Sequence, residues 1–161
     1  MANKTPTTNS LENYFLPFTA NKDFKKEPRL LDRGEGVYYW NHKGDQVIDA
    51  SSGLFCVPLG HGRKEIAEAV HQQLLKLDYS PSFQVSHLPA FSLAEKVAKL
   101  LPGDLNNVFF TICGSTAIDS AIKIIQAYQH AIGQSQRVRF VSRERAYHGV
   151  NIGGTSLSGM I

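Results

Sequence analysis

One unit constrains the fold more than any other stretch of this sequence. Asn107-Val108-Phe109-Phe110-Thr111 is followed by Cys113-Gly114-Ser115-Thr116, a long amphipathic run to about Ile132, and Arg137-Val138-Arg139-Phe140-Val141. The first run reads as a short buried-type strand and the last as a second strand. Between them Ala117, Ala121, Ile124, Ile125, Tyr128 and Ile132 recur at helical spacing and are expected to face inward, with Gly133 as the cap. Strand, Gly-Ser turn, helix and strand make one βαβ unit, the seed of a parallel sheet, so the expected class is α/β. A parallel sheet buried on both faces needs several strands. Only two are present and the sequence stops where a third unit would begin, so the chain is expected to be a fragment.

The rest of the chain divides into four parts. Residues 1–10 are polar and read as a flexible terminus. Residues 11–62 hold an arm, a hairpin and a loop. The arm carries Tyr14-Phe15-Leu16-Pro17-Phe18, and Gly36–Trp40 and Gln46–Ala50 form the hairpin across Asn41–Asp45. Ser51–Gly62 is a Gly-rich loop, either a binding loop or a tight crossing. Residues 63–102 are helical: the spacing predicts helices over Lys64–Leu77 and about Pro89–Leu101, stopped by Pro81 and by Pro102-Gly103. Residues 103–161 begin the βαβ domain, and their Gly/Ser-rich tail from Gly149 shows no closing element. No internal repeat appears.

Charge and cysteine content remove several functions. Lys+Arg 17 against Asp+Glu 14 leaves a net charge of +3 on 161 residues. The cations are scattered, which argues against a nucleic-acid partner. Cys56 and Cys113 cannot build a disulfide framework, and no Cys/His spacing suits a metal. No apolar run approaches the ~18 residues of a membrane span, and MANKTPTTNS lacks the apolar core of a secretory signal. A cytoplasmic setting without a membrane partner is expected.

The chemistry-bearing residues gather at one expected edge of the sheet. At the start of the long helix the first N–H groups lack internal partners and the helix end is partly positive. Gly114 lets a ligand approach, and Ser115 and Thr116 add hydroxyl donors, which is a phosphate cradle. N-capping alone also accounts for Ser and Thr there, and read locally it is the better account. Tyr147-His148-Gly149 follows the second strand and is expected at the same edge, where an aromatic ring could cover a flat cofactor. Read alone, packing within its own loop is the better account. Cys113 at a helix N-terminus could be a stabilised thiolate, but no partner is spaced for it, and a buried inert thiol is expected. No G-x-S-x-G elbow is present.

Taken together, five stretches resemble a known family: LPFTAN (16–21), DASSGLFCVPLGHGR (49–63), SFQVSHLPAFSLAEKVAKLLP (82–102), NNVFFTICGSTAIDSAIKI (106–124) and RERAYHGVNIGGTSLSGM (143–160). In order and spacing the chain is similar to the front part of class III aminotransferases, which are pyridoxal 5′-phosphate enzymes of fold type I. The subgroup it resembles most is the β-alanine–pyruvate type, acting on ω-amino acids and amines. The resemblance implies an incomplete fold type I domain in which Gly114 and Ser115 bind the cofactor phosphate. Tyr147 would stack on the pyridine ring with His148 beside it. Phe18, Leu54 and Phe55 would wall the substrate pocket, Phe55 standing where a Trp is frequent. Phe83 would be contributed across a homodimer. The substrates implied are an amine or amino acid and a 2-oxo acid such as pyruvate.

The chain departs from the family pattern in two ways. The usual Asn-Ser-Gly-Ser-Glu-Ala is here Ile112-Cys113-Gly114-Ser115-Thr116-Ala117, which alters cradle polarity. The family's Schiff-base lysine, the aspartate at the pyridine nitrogen and the arginine for the substrate carboxylate are expected beyond Ile161. No local lysine replaces the first: Lys123 is about 12 Å along the helix from Ser115, and Lys96 and Lys99 read as solvated. A charge-assisted hydrogen bond contributes ~1.5–3 kcal/mol, so a two-residue cradle alone falls short of the ~8 kcal/mol of micromolar binding. The two strands are not neighbours in the family's seven-stranded sheet, so their edges are expected to be open and the isolated chain poorly stable, oligomeric or aggregation-prone. The expected function is an aminotransferase present as an amino-terminal portion. The alternatives are a truncated, non-catalytic cofactor-binding or dimerising remnant, and an aminomutase of the same family.

Overall fold

The computed structural model describes residues 11–159 in two compact units, divided between Ser82 and Phe83. The flexible terminus expected over residues 1–10 lies outside the described residues.

In the first unit the arm is tied down by side chains of the helix that follows it, Asn21 above all. Asn21 Oδ1 accepts from the Leu16 N–H at 2.9 Å, and its Nδ2 donates to the Leu16 carbonyl at 2.8 Å. Asn21 opens helix α1, Asn21–Lys26. Three antiparallel strands follow in the order β1-β2-β3: β1 Leu31–Glu35, β2 Tyr38–Asn41 and β3 Gln46–Ile48. β2 and β3 are the expected hairpin, with Tyr38 opposite Ile48 and Trp40 opposite Gln46. Its turn closes because Asn41 Oδ1 accepts from the Lys43 and Asp45 N–H groups, each at 2.9 Å. β1 was not expected. Its LDRGE sequence has neither alternation nor β-branched residues, and it is recruited by pairing with β2 and by Arg33, whose guanidinium lies 3.6 Å from the centre of the Trp40 ring. Helix α2, Lys64–Lys76, matches the expected span.

The second unit holds α3 (Leu88–Ala98), α4 (Gly114–Ala131) and α5 (Ile152–Leu157). Pro89 sits in the first turn of α3, where a missing N–H is harmless. Gly154 of α5 donates its N–H to Asp119 Oδ1 of α4 at 3.0 Å, and a Cβ on Gly154 would overlap the His148 carbonyl. This backbone contact, which only glycine permits, is what gives the Gly/Ser-rich tail a helix that its composition did not predict.

Three further expectations need correction. Residues 107–111 and 137–141 form no ladder among the described residues. A strand exists through its hydrogen-bonded neighbours, and these two segments are not neighbours of each other. The helix faces expected to point inward are exposed: Ile124, Ile125, Tyr128 and Ile132 of the α4 run, and Phe91 and Leu93 of α3. No apolar side chain among the described residues is buried, since β1 with β2, β2 with β3, and α4 with α5 are the element pairs that pack together. Finally, Cys113 is exposed, not buried, and so is Cys56.

Candidate functional site

The cradle is built at the start of α4. The earliest backbone donor serving this turn is Ala117, bonded to the Cys113 carbonyl at 3.0 Å. The N–H groups of Gly114, Ser115 and Thr116 precede it and need partners from elsewhere. A Cβ on Gly114 would meet nothing within 4 Å, so the space above the turn is open.

The segment after Tyr147 lies directly on this turn. Val150 N–H donates to Ser115 Oγ at 3.0 Å. Gly149 has a φ of +112°, and a Cβ there would lie 2.7 Å from Ser115 Cα; only glycine combines that backbone with that approach. Farther along, Ser158 Oγ accepts from the His148 N–H at 3.0 Å and donates to the Gly154 carbonyl at 2.8 Å. Thus the sequence-predicted Gly114, Ser115, Tyr147 and His148 fall on two segments that are in contact. Tyr147 is exposed, while His148 Nε2 is buried with no hydrogen-bond partner.

Cys113 reports the electrostatics of the turn. Its Sγ lies 3.4 Å from Thr116 Oγ1. That hydroxyl, then the Thr116 and Ser115 N–H groups, hold the thiol below its ordinary range despite an opposing contribution from desolvation. A site that favours a thiolate favours other anions, so the turn's donors fit a phosphate group. The orphaned His148 nitrogen, carried by the segment that contacts Ser115, is left for a further polar contact.

The first unit carries a second feature. Ser52, Gly53, Leu54 and Phe55 all have positive φ, at 51°, 58°, 55° and 67°. The turn Ser52–Phe55 is therefore left-handed, closed by Phe55 N–H on the Ser51 carbonyl at 2.9 Å and Val57 N–H on the Ser52 carbonyl at 2.8 Å. Each non-glycine residue there costs roughly 1–2 kcal/mol. The turn presents Leu54 and Phe55 outward, the latter 88% exposed.

Beneath it sits a polar cluster that sequence reading missed. Asp49 Oδ2 lies 2.8 Å from His61 Nε2, and these side chains are only 5% and 12% exposed. Asp49 Oδ1 accepts from Ser51 N–H and Oγ–H, each at 3.2 Å. The Gly53 N–H, foremost, and His61 hold the Asp49 carboxyl below its usual range. The Tyr39 ring packs on the His61 ring with centroids 4.2 Å apart. Its phenol is pushed up, first by desolvation and then by Asp49. The Leu59–Gly62 stretch is a tight crossing: His61 N–H donates to the Gly36 carbonyl at 2.8 Å, and Gly36 N–H to the His61 carbonyl at 3.0 Å. An Asp two residues before a Ser, and a His between two glycines, were the available signals.

Phe18, in the arm, has a φ of 50° and is exposed, as is Phe83 in the second unit. Among the described residues no group of three or more His, Cys, Asp or Glu could hold a metal ion, and no helix is long and apolar enough to cross a membrane.

Comparison with known proteins extends these observations. The family model for aminotransferase class III matches residues 19–160. A beta-alanine–pyruvate aminotransferase of Pseudomonas aeruginosa is 50% identical over 151 residues, covering 94% of this chain and 34% of that protein. Among solved structures, a thermostable (S)-enantioselective omega-transaminase from Thermomicrobium roseum is similar with a TM-score of 0.90 at 37% identity, over 94% of this chain and 34% of that one. An omega transaminase from Pseudomonas jessenii in complex with PMP gives a TM-score of 0.90 at 30% identity, over 97% of this chain and 35% of that one. The chain spans about a third of the length of the curated relatives it matches.

Proposed function

The chain belongs to the class-III aminotransferase family, and from that premise we propose that it serves an enzyme moving an amino group from an ω-amino acid or amine to pyruvate, with pyridoxal 5′-phosphate as cofactor. The observation that supports this most directly is the contact of the Tyr147–Val150 segment with Ser115 at the open start of α4. Gly114 and Ser115 hold the phosphate through backbone N–H groups and the Ser115 hydroxyl, aided by the helix dipole. Tyr147 covers the pyridine ring and His148 supplies a polar contact beside it. When bound, the cofactor supplies an electron sink that the protein's own side chains lack. Leu54, Phe55 and Phe18 wall the substrate pocket, and Phe83 reaches a second copy in a homodimer. On this reading residues 103–161 open the cofactor-binding domain, preceded by the arm, hairpin and substrate loop of 11–62 and the helices of 63–102, and the enzyme works in the cytoplasm.

Amide resonances of the chain, titrated with inorganic phosphate and then with pyridoxal phosphate, test the cradle. Gly114, Ser115 and Thr116 should shift with both, and the Tyr147 ring with the second alone. Shifts spread over surface lysines with none at Ser115 would remove the cofactor assignment. The coding sequence downstream of Ile161 tests the activity: it should encode a lysine and a strand-end aspartate.

A further inference from the structure

The left-handed turn and the buried pair below it belong together. The turn is held on Asp49 through Ser51, whose N–H and hydroxyl both reach Asp49 Oδ1 at 3.2 Å, and the nearby Gly53 N–H favours the same carboxylate. Ser51 also receives the Leu54 N–H at 3.5 Å. Asp49 is in turn fixed by His61 at 2.8 Å. His61 is pinned on three sides, by the paired Gly36 backbone, by the Tyr39 ring and by Gly34, where an added Cβ would come within 2.9 Å of the imidazole. A rigid chain of contacts thus runs from the three-stranded meander to Leu54 and Phe55. The Phe55 N–H on Ser51 and the Val57 N–H on Ser52 close the turn locally, and the Asp49 contacts add side-chain support against relaxation of Ser52, Leu54 and Phe55 toward the right-handed or extended regions.

We propose that Asp49, oriented by His61 and Tyr39, is a positioning residue that keeps Ser52–Phe55 left-handed and so sets which amines fit against Leu54 and Phe55. The second half rests on the pocket assignment proposed above, whereas the first half stands on the contacts alone. Asp49 touches no substrate; it acts through the turn.

Two measurements test this. The first is hydrogen exchange of the chain, followed at the Gly53, Leu54, Phe55 and Val57 amides and, for reference, at Tyr39 and Val47 in the meander. Asp49→Ala should raise exchange at the turn at least tenfold while the meander amides stay within about twofold. Asp49→Asn, which keeps one acceptor oxygen, should recover part of the protection, and His61→Gln should loosen the turn less than Asp49→Ala. An unchanged turn, or an equal rise in turn and meander, overturns the inference. The second measurement is transamination by the enzyme carrying this chain, with a small and a bulky amine. Asp49→Asn should change KM more than kcat and shift the small-to-bulky preference several-fold. A loosened turn with unchanged preference overturns the inference. If the unmutated enzyme shows no transamination, the proposed function fails instead, and the exchange result alone decides the role of Asp49.

Discussion

The Ser115 hydroxyl oxygen accepts the Val150 N–H at 3.0 Å, across 35 residues of chain. This bond uses a lone pair of the oxygen, and the hydroxyl proton, which favours the Cys113 thiolate, is the donor that would turn to an anion above the turn. Ser115→Ala removes both roles. A hydrogen bond to a charged group contributes ~1.5–3 kcal/mol, so the Kd for pyridoxal phosphate should rise roughly 10- to 100-fold. Titration by absorbance or fluorescence checks it.

Gly149→Ala should be worse for structure than for charge. The new Cβ would sit 2.7 Å from Ser115 Cα at a φ of +112°. Overpacking of this kind costs about 1–3 kcal/mol. Loss of protection at the Val150 amide, with α4 still helical by circular dichroism, is the expected result.

Asp49 gives stability a definite pH window. Its folded carboxyl lies below the ordinary range, because the Gly53 N–H, His61 and Ser51 favour the carboxylate. Its contribution is therefore present above the unfolded value of about 4 and fades as pH falls through the lower folded value. Tyr39 works in the opposite sense: its phenol is raised, so its contribution holds below about pH 10 and fades above. Urea melts of wild type and Asp49→Asn should differ above about pH 5, and the difference should shrink as pH falls below about 4.

Cys113 should alkylate at lower pH than an ordinary thiol, whose value is about 8.5, since it is exposed and the Thr116 hydroxyl favours its thiolate. Iodoacetamide rates against pH measure this. Thr116→Val should move the midpoint upward, and saturating phosphate should slow the reaction by occupying the adjoining donors. A midpoint unmoved by the substitution would remove Thr116 as the cause.

Gly154→Ala should undock α5, because its Cβ would overlap the His148 carbonyl. The Gly154 N–H bond to Asp119 would then be lost. Asp119→Asn, which keeps an acceptor oxygen, should do less harm. Exchange at the Gly154 amide separates the two.

Periodicity made the helices legible, since Lys64–Lys76, Leu88–Ala98 and Gly114–Ala131 carry their apolar residues at helical spacing. The hairpin was legible from Gly44 and its flanking runs. β1 was not, because its reason for being extended is its neighbour β2. Helix α5 was hidden by its glycines, which serve close approach and not flexibility. The segments 107–111 and 137–141 read as strands by composition, but strand formation needs partners that composition does not supply. In the cradle, Gly114 and Ser115 were visible as a turn before a helix; the contact of Gly149 and Val150 with them spans too many residues for local patterns. The Asp49–His61 pair left only its flanking Ser51 and glycines as signals, because its two halves lie 12 residues apart.

The mirror-handed turn at 52–55 also restricts what substitution can do there. Branching at Cβ is strongly disfavoured at positive φ, so Val, Ile and Thr are poor replacements at Leu54 and Phe55, whatever their size. Glycine and asparagine are tolerated, and unbranched or aromatic side chains pay only the penalty already present. On the proposed pocket assignment, width there can therefore be tuned in coarse steps, from ring to chain to nothing, while the intermediate shapes are denied by the backbone.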